Sequence, residues 1–339
     1  MSGFIKRLLW FFLIPISGLV ILYFVSDPYR TLKPFSLDYF DTTNRDYLSS
    51  ELFITNYPAY HYDSFIFGSS RGCGINTYHW AKYLPEGSKQ FLFQAWNETL
   101  TGIEQKISYI DSHGYELNNA LVLLDIPGSF QDKQLPTEAL AIKDPMISLQ
   151  PRWKYQMFLL YNFVQKPSQW IKAVRSITNK STPNITFDTV SNDWDINNQY
   201  ADLSVAPAKD SLCDLSNKAK TDFLHDLDLS DDAISTSEPL INDKLKVQLE
   251  HIREIFGRNQ TDYRIVITPG FCYSFSSISP LDLTILESVF GKNRVFDYSS
   301  KNELNSDFNN YTDPNHFGSY VGWHIIDGIY NKKNPSPAL

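Results

Sequence analysis

Residues 64–71 read SFIFGSSR, a short apolar run that stops at a glycine and two serines. A strand covered on both faces reads as a continuous apolar run, whereas a half-exposed strand alternates. The same kind of run returns as QFLF at 90–93, ALVLLDI at 120–126, RIVIT at 264–268 and RVFD at 294–297. Between these runs the apolar spacing changes to three and four, the period of a helix with one buried face. Leu100, Ile103, Ile107 and Ile110 form one such face, with Gly114 as its stop, and Leu245, Leu249, Ile252 and Ile255 form another, with Gly257 as its stop. Ser279-Pro280 reads as a cap followed by proline at the first helical position, opening a helix that runs to Phe290. Val321, Ile325 and Ile329 mark a last helix after Phe317. Apolar strands alternating with amphipathic helices predict an α/β chain, a three-layer α/β/α sandwich around a mostly parallel five-stranded sheet. Ligands of such sheets bind at the carboxyl ends of the strands.

Outward from this frame, Leu8 to Val25 (LLWFFLIPISGLVILYFV) carries no charge over 18 residues. As a helix it extends roughly 27 Å at ~1.5 Å per residue, close to the ~30 Å hydrocarbon core of a bilayer. Trp10 and Tyr23 lie near its ends, where interfacial aromatics belong. Lys6 and Arg7 precede it, which favours an amino terminus in the cytoplasm, although Arg30 and Lys33 weaken the asymmetry. The following Ser26-Asp27-Pro28-Tyr29 is a poor cleavage site, so a retained signal-anchor is expected rather than a cleaved signal peptide. Residues 1–27 then form a cytoplasmic stub and transmembrane anchor, and residues 28–339 a single-pass protein's extracytoplasmic domain, periplasmic or extracellular. That domain carries an insertion or cap at about 131–243, where 151–164 read as one apolar helix and 175–240 show no clear period.

The formal charge of −8, with no long basic run, disfavours nucleic acid as a partner. Aromatics are in excess, with 23 Phe, 20 Tyr and 7 Trp; the Tyr and Trp suit carbohydrate or membrane-interface contacts, but a Tyr-rich core accounts for them more simply. The aspartates between Asp222 and Asp232 lack the glycine and terminal glutamate of a calcium loop and read as a solvated turn. Cys73, Cys213 and Cys272 have no metal-ligand spacing, and Cys73 reads as a packing residue.

Two motifs carry chemistry. Gly68-Ser69-Ser70-Arg71 follows the first strand, where a tight turn exposes a hydroxyl and aims backbone N–H groups at a developing oxyanion. Thr312-Asp313-Pro314-Asn315-His316-Phe317 follows the last strand, and an Asp three residues before a His brings its carboxylate to the near imidazole nitrogen within one turn. Each has a bland reading, an ordinary Gly-Ser-Ser loop and an ordinary Asp-Pro turn. Together they supply nucleophile, base and orienting acid: Ser70, His316 and Asp313. Arg71 is a candidate for an acidic substrate group, with pairing to a nearby carboxylate preferred, and Asp125 either orients a group at the site or caps the next helix. No metal and no dissociable cofactor is called for.

The order of these motifs, serine first and Asp-x-x-His near the carboxyl terminus, resembles the SGNH (GDSL-like) hydrolase superfamily. Its Gly-Asp-Ser block corresponds to Gly68-Ser69-Ser70, which implies Ser70 as nucleophile. The Gly-Ser-Ser form is similar to that of membrane-anchored cell-envelope members, such as the alginate O-acetyltransferase-like and lipoteichoic acid D-alanylation proteins. The resemblance covers roughly 62–130 and 243–330. It implies a Ser70 acyl-enzyme with Ser70 and Asn97 N–H groups as oxyanion hole, Asn97 standing where the family's second block has glycine. The third block's asparagine has no counterpart in Leu124-Asp125-Ile126-Pro127. The implied activity is acyl transfer or ester hydrolysis on an envelope or extracellular glycan. A transferase would also need a multispan membrane acyltransferase as acyl donor. The rivals are a carboxylesterase without partner and a catalytically silent glycan-binding scaffold.

Overall fold

A computed structural model describes residues 2–35, 44–131, 142–178, 187–193, 236–272 and 275–331. Along the chain the elements run α1 (Ser2–Ser26), α2 (Arg45–Tyr60), β1 (Ser64–Gly68), α3 (Thr77–Ala81), β2 (Gln90–Gln94), α4 (Leu100–Ser112) and β3 (Asn119–Leu124). They continue with α5 (Pro145–Ser148), α6 (Arg152–Gln165), α7 (Pro167–Thr178), α8 (Asp243–Asn259), β4 (Asp262–Ile267), α9 (Pro280–Phe290), β5 (Val295–Asp297), β6 (Tyr311–Asp313), β7 (His316–Phe317) and α10 (Ser319–Tyr330). The chain forms two compact units, one made of Met1–Glu51 with Leu135–Ile185, the other of Leu52–Gln134 with Thr186–Leu339.

The larger unit holds the α/β frame. Its five strands are all parallel, in the order β2-β1-β3-β4-β5. β1 and β3 are buried at every position, as their unbroken apolar runs require. Alternate side chains leave on opposite faces. Ile66, Leu92, Leu121, Leu123 and Val266 pack on one face with Val321, Ile325 and Ile329 of α10. On the other, the Phe53 ring lies 5.7, 5.7 and 5.1 Å from those of Phe65, Phe91 and Phe93. The helix caps follow the sequence closely. The Ser279 side chain accepts from the Asp282 N–H, with Pro280 at the first position of α9. One stop differs: α8 continues through Gly257 to Asn259, and Gln260, at φ +55°, ends it. Residues 187–193 cover the outer edge of β2. The Leu92 N–H donates to the Ser191 carbonyl (2.9 Å), the Asn192 amide donates to the Leu92 carbonyl (2.6 Å), and Asp193 accepts from the Thr77 N–H (3.1 Å). This strap removes a sheet edge that would otherwise invite pairing with another chain.

The smaller unit contains α1. Gly3–Ser26 is long and apolar enough to cross a membrane, as an anchor or a signal sequence, and its apolar side chains are mostly exposed. Its last turns are not bare, however. Tyr23 is buried, its hydroxyl donates to Gln156 Oε1 (2.8 Å), and its ring packs on Phe163. The apolar helix expected at 151–164 is α6, and α1 packs against α6 and α7 of the expected insertion. The aspartates from 222 to 232 and Cys213 lie outside the described residues.

Candidate active site

The switch in strand order falls between β1 and β3, whose carboxyl ends therefore open a crevice. β1 delivers Ser69 and Ser70 to it, and β3 delivers Asp125. The chain must turn sharply after Gly68, where β3 leaves no room: a Cβ there would lie 2.8 Å from the Cβ of Leu123. Ser69 caps the short 3-10 turn Ser70–Gly74, its hydroxyl accepting from the Arg71 N–H (3.2 Å). α10 clamps the far end of that turn, since a Cβ on Gly322 would collide with the Gly74 carbonyl. Ser70 is left half-buried, facing the crevice.

The other two members of the expected triad arrive on a β-hairpin. β6 and β7 pair antiparallel with Asp313 opposite His316, and Pro314-Asn315 form the connection. Asp313 Oδ1 accepts from the N–H groups of Asn315 (2.8 Å) and His316 (3.1 Å), so the carboxylate closes its own turn. Its Oδ2 meets His316 Nδ1 at 2.7 Å, and His316 Nε2 meets Ser70 Oγ at 2.8 Å. With the Nδ1 proton held by the carboxylate, Nε2 is the acceptor for the serine hydroxyl. Burial by itself raises the Asp313 pKa; the hydrogen bond and charge of His316, with the two backbone N–H groups, outweigh it and hold the carboxyl below its usual range. The phenylalanine after the histidine locks the hairpin down, because Phe317 packs directly on Gly74 of the Ser70–Gly74 turn.

Ser70, His316, Asn97, Arg71 and Asp125 line a single pocket of about 280 Å³, together with Gln131 and Asn315. Asn97 has φ +50°, the left-handed region that glycine occupies freely and asparagine tolerates best among side chains. That gives a physical reason for asparagine at a position where glycine is expected. Beside it, the carboxylate of Glu98 is fully buried against Lys106 Nζ (2.5 Å) and accepts from the Thr99 N–H (3.0 Å), which fixes the loop.

Arg71 and Asp125 are brought together rather than left to a ligand. Both are buried, with Arg71 Nε 3.9 Å from Asp125 Oδ1. The Asp125 carboxylate accepts from Ser69 Oγ and from Thr268 Oγ1 (2.5 Å), and Arg71 Nη1 donates to Thr268 Oγ1 (3.2 Å). The Arg71 guanidinium also lies 4.9 Å from the Phe275 ring centre. Asp125 thus ties the ends of β1, β3 and β4 beneath Ser70, and its side chain does not cap the following turn. Thr268 and Phe275 carry no sequence signal that would have singled them out. The same holds for Gln131 and Asn315, side-chain amides in a pocket whose β3 loop supplies no asparagine. Among the described residues no cluster of His, Cys, Asp and Glu is arranged to hold a metal. Cys73 donates to Gln94 Oε1 (3.4 Å) and stands outside the pocket lining.

No protein-family model matches the chain, and no curated protein matches it.

Proposed function

We propose that this chain is a membrane-anchored serine acyltransferase or esterase of the SGNH type, working through an acyl-enzyme on Ser70. The observation that carries the reading is the unbroken relay from Asp313 through His316 to Ser70, at 2.7 and 2.8 Å, with Ser70 and His316 lining a pocket. His316 Nε2 takes the hydroxyl proton as Ser70 Oγ bonds to an ester carbonyl carbon. The tetrahedral intermediate collapses, the ester C–O bond breaks, and the leaving alcohol takes that proton from His316. Water or a sugar hydroxyl then attacks the acyl-enzyme, gives its proton to His316, and releases the acyl group as acid or new ester while Ser70 recovers its proton. Asp313 fixes the imidazole tautomer and stabilises the imidazolium. The N–H groups of Ser70 and Asn97 are the oxyanion donors in this reading, with the Gln131 or Asn315 amide in the role of the absent third-block asparagine.

Contacts at the end of α1 support a retained anchor. Cleavage after Ser26 would remove Tyr23, which is 1% exposed, from its aromatic cluster. With the amino terminus in the cytoplasm, the catalytic unit lies outside the cytoplasmic membrane, where envelope glycans are the available acceptors and a multispan partner is the source of activated acyl groups. The absence of an asparagine at the end of β3 favours a second reading, a silent scaffold that binds glycan. The test is a fluorophosphonate probe and p-nitrophenyl acetate applied to the full chain in detergent, with Ser70→Ala and His316→Ala alongside. Labelling and acetate release that vanish in both variants support the acyl-enzyme. A folded wild-type chain that does neither supports the scaffold.

A further inference from the structure

The helix α6 is apolar on both sides. Tyr155, Leu159 and Phe163 are buried within the smaller unit, while Trp153, Met157 and Tyr161, one turn apart on the opposite side, are 65, 58 and 59% exposed. Three large apolar side chains in a row on the exposed side of a helix mark an interaction surface. α7 adds exposed Ile171 and Ile177. Between 152 and 178 the chain carries five basic residues (Arg152, Lys154, Lys166, Lys172, Arg175) and no acidic one, in a protein whose net charge is −8. Both helices pack against α1, and among the described side chains burial along α1 begins at Leu19. The contact therefore involves the last ~12 Å of that helix, at ~1.5 Å per residue. If Leu8 to Val25 spans the bilayer, these last turns still lie within the outer hydrocarbon, and the helices beside them reach the headgroup boundary.

We propose that α6 and α7 are a second membrane-contacting element, lying in the plane of an anionic lipid surface with Trp153, Met157 and Tyr161 inserted at its boundary. Exposed aromatics with flanking lysines and arginines are the chemistry that an anionic interface recognises. The occupant is lipid rather than protein because the face continues directly from the membrane-spanning helix and its charge is opposite to that of the headgroups. Docked in this way, the smaller unit is held at two places, the span and the surface, instead of one. The inference rests on α1 being a retained span, but it does not require the Ser70 chemistry.

The full chain is reconstituted into vesicles of phosphatidylcholine with and without phosphatidylglycerol, containing lipids brominated near the headgroup end of the acyl chain. Tryptophan quenching is compared for wild type and Trp153→Phe. The expected result is a component of quenching that Trp153→Phe removes, larger in phosphatidylglycerol vesicles, and reduced there by Lys154→Glu combined with Lys166→Glu. Met157→Glu, on the same exposed face, lowers the same component. Equal quenching in wild type and Trp153→Phe overturns the proposal. So does a Trp153 component indifferent to lipid charge, or a shielding that grows with protein density without bromine quenching, which would mean that a second copy covers the face. Release of the chain by alkaline carbonate would instead refute the span, so the two failures are distinguishable.

Discussion

Replacing Asp313 with asparagine keeps the shape of the hairpin and removes one charge. In wild type the carboxylate lies 2.7 Å from His316 Nδ1. The charge centres are then about 4 Å apart when the imidazolium forms, an attraction of about 4 kcal/mol at an effective dielectric of about 20. Both side chains are 30% exposed, and screening by solvent brings this to about 3 kcal/mol, roughly a hundredfold in rate. An amide also donates toward Nδ1 and favours the tautomer whose Nε2 already carries a proton, which cannot accept one from Ser70, so the expected total is about a thousandfold. The assay is the second-order rate of fluorophosphonate labelling at neutral pH, which requires no knowledge of the natural acceptor. Labelling within about threefold of wild type, by a variant with an unchanged melting temperature, would refute the role given to the carboxylate. The variant should also lose an acid limb of stability. A carboxyl whose folded pKa is depressed stabilises the fold above its unfolded pKa, and that contribution fades as the pH falls through the folded value.

Other perturbations reach different parts of the molecule. Burial pushes the Asp193 carboxyl up to about 7 despite the Thr77 hydrogen bonds; a raised carboxyl binds its proton more tightly when folded, so stability should fall as the pH rises from about 4 to about 7, and Asp193→Asn should flatten that slope in urea titrations. Asn97→Gly should leave the melting temperature nearly unchanged, whereas Asn97→Val, β-branched at φ +50°, should cost about 1–2 kcal/mol and slow labelling. Gly322→Ala drives a methyl into the Gly74 carbonyl and must displace α10 from the Ser70–Gly74 turn, with an expected loss of about 2 kcal/mol or more in calorimetry and a matching loss of labelling. Glu98→Gln removes the charge that Lys106, 1% exposed, lies against, and should cost about 3–5 kcal/mol, with Glu98→Gln combined with Lys106→Met recovering part of it.

The frame of this protein was legible in its sequence because burial dictates composition. Strands sealed on both faces must read as runs such as FIF at 65–67 and LVLL at 121–124, and helices on the sheet must repeat their apolar residues every three or four positions. The long apolar helix at the amino terminus and the Ser279-Pro280 cap were legible for the same kind of local reason, as was the order of the serine and Asp-x-x-His motifs. Spacing alone could not reveal the β-hairpin that holds Asp313 against His316, because two-residue strands leave no periodicity to read. The strap at 187–193 and the pairing of α1 with α6 and α7 were equally hidden, since they join residues far apart in the chain. Arg71 and Asp125 show the difference most clearly. By sequence either could face a ligand, and only the convergence of β1, β3 and β4 sets Ser69, Thr268 and Arg71 around one carboxylate. Local propensity and the burial of apolar groups act on neighbours along the chain and so are written in the sequence. The partners of a buried charge are chosen by which strand ends meet in space, and that only the tertiary structure decides.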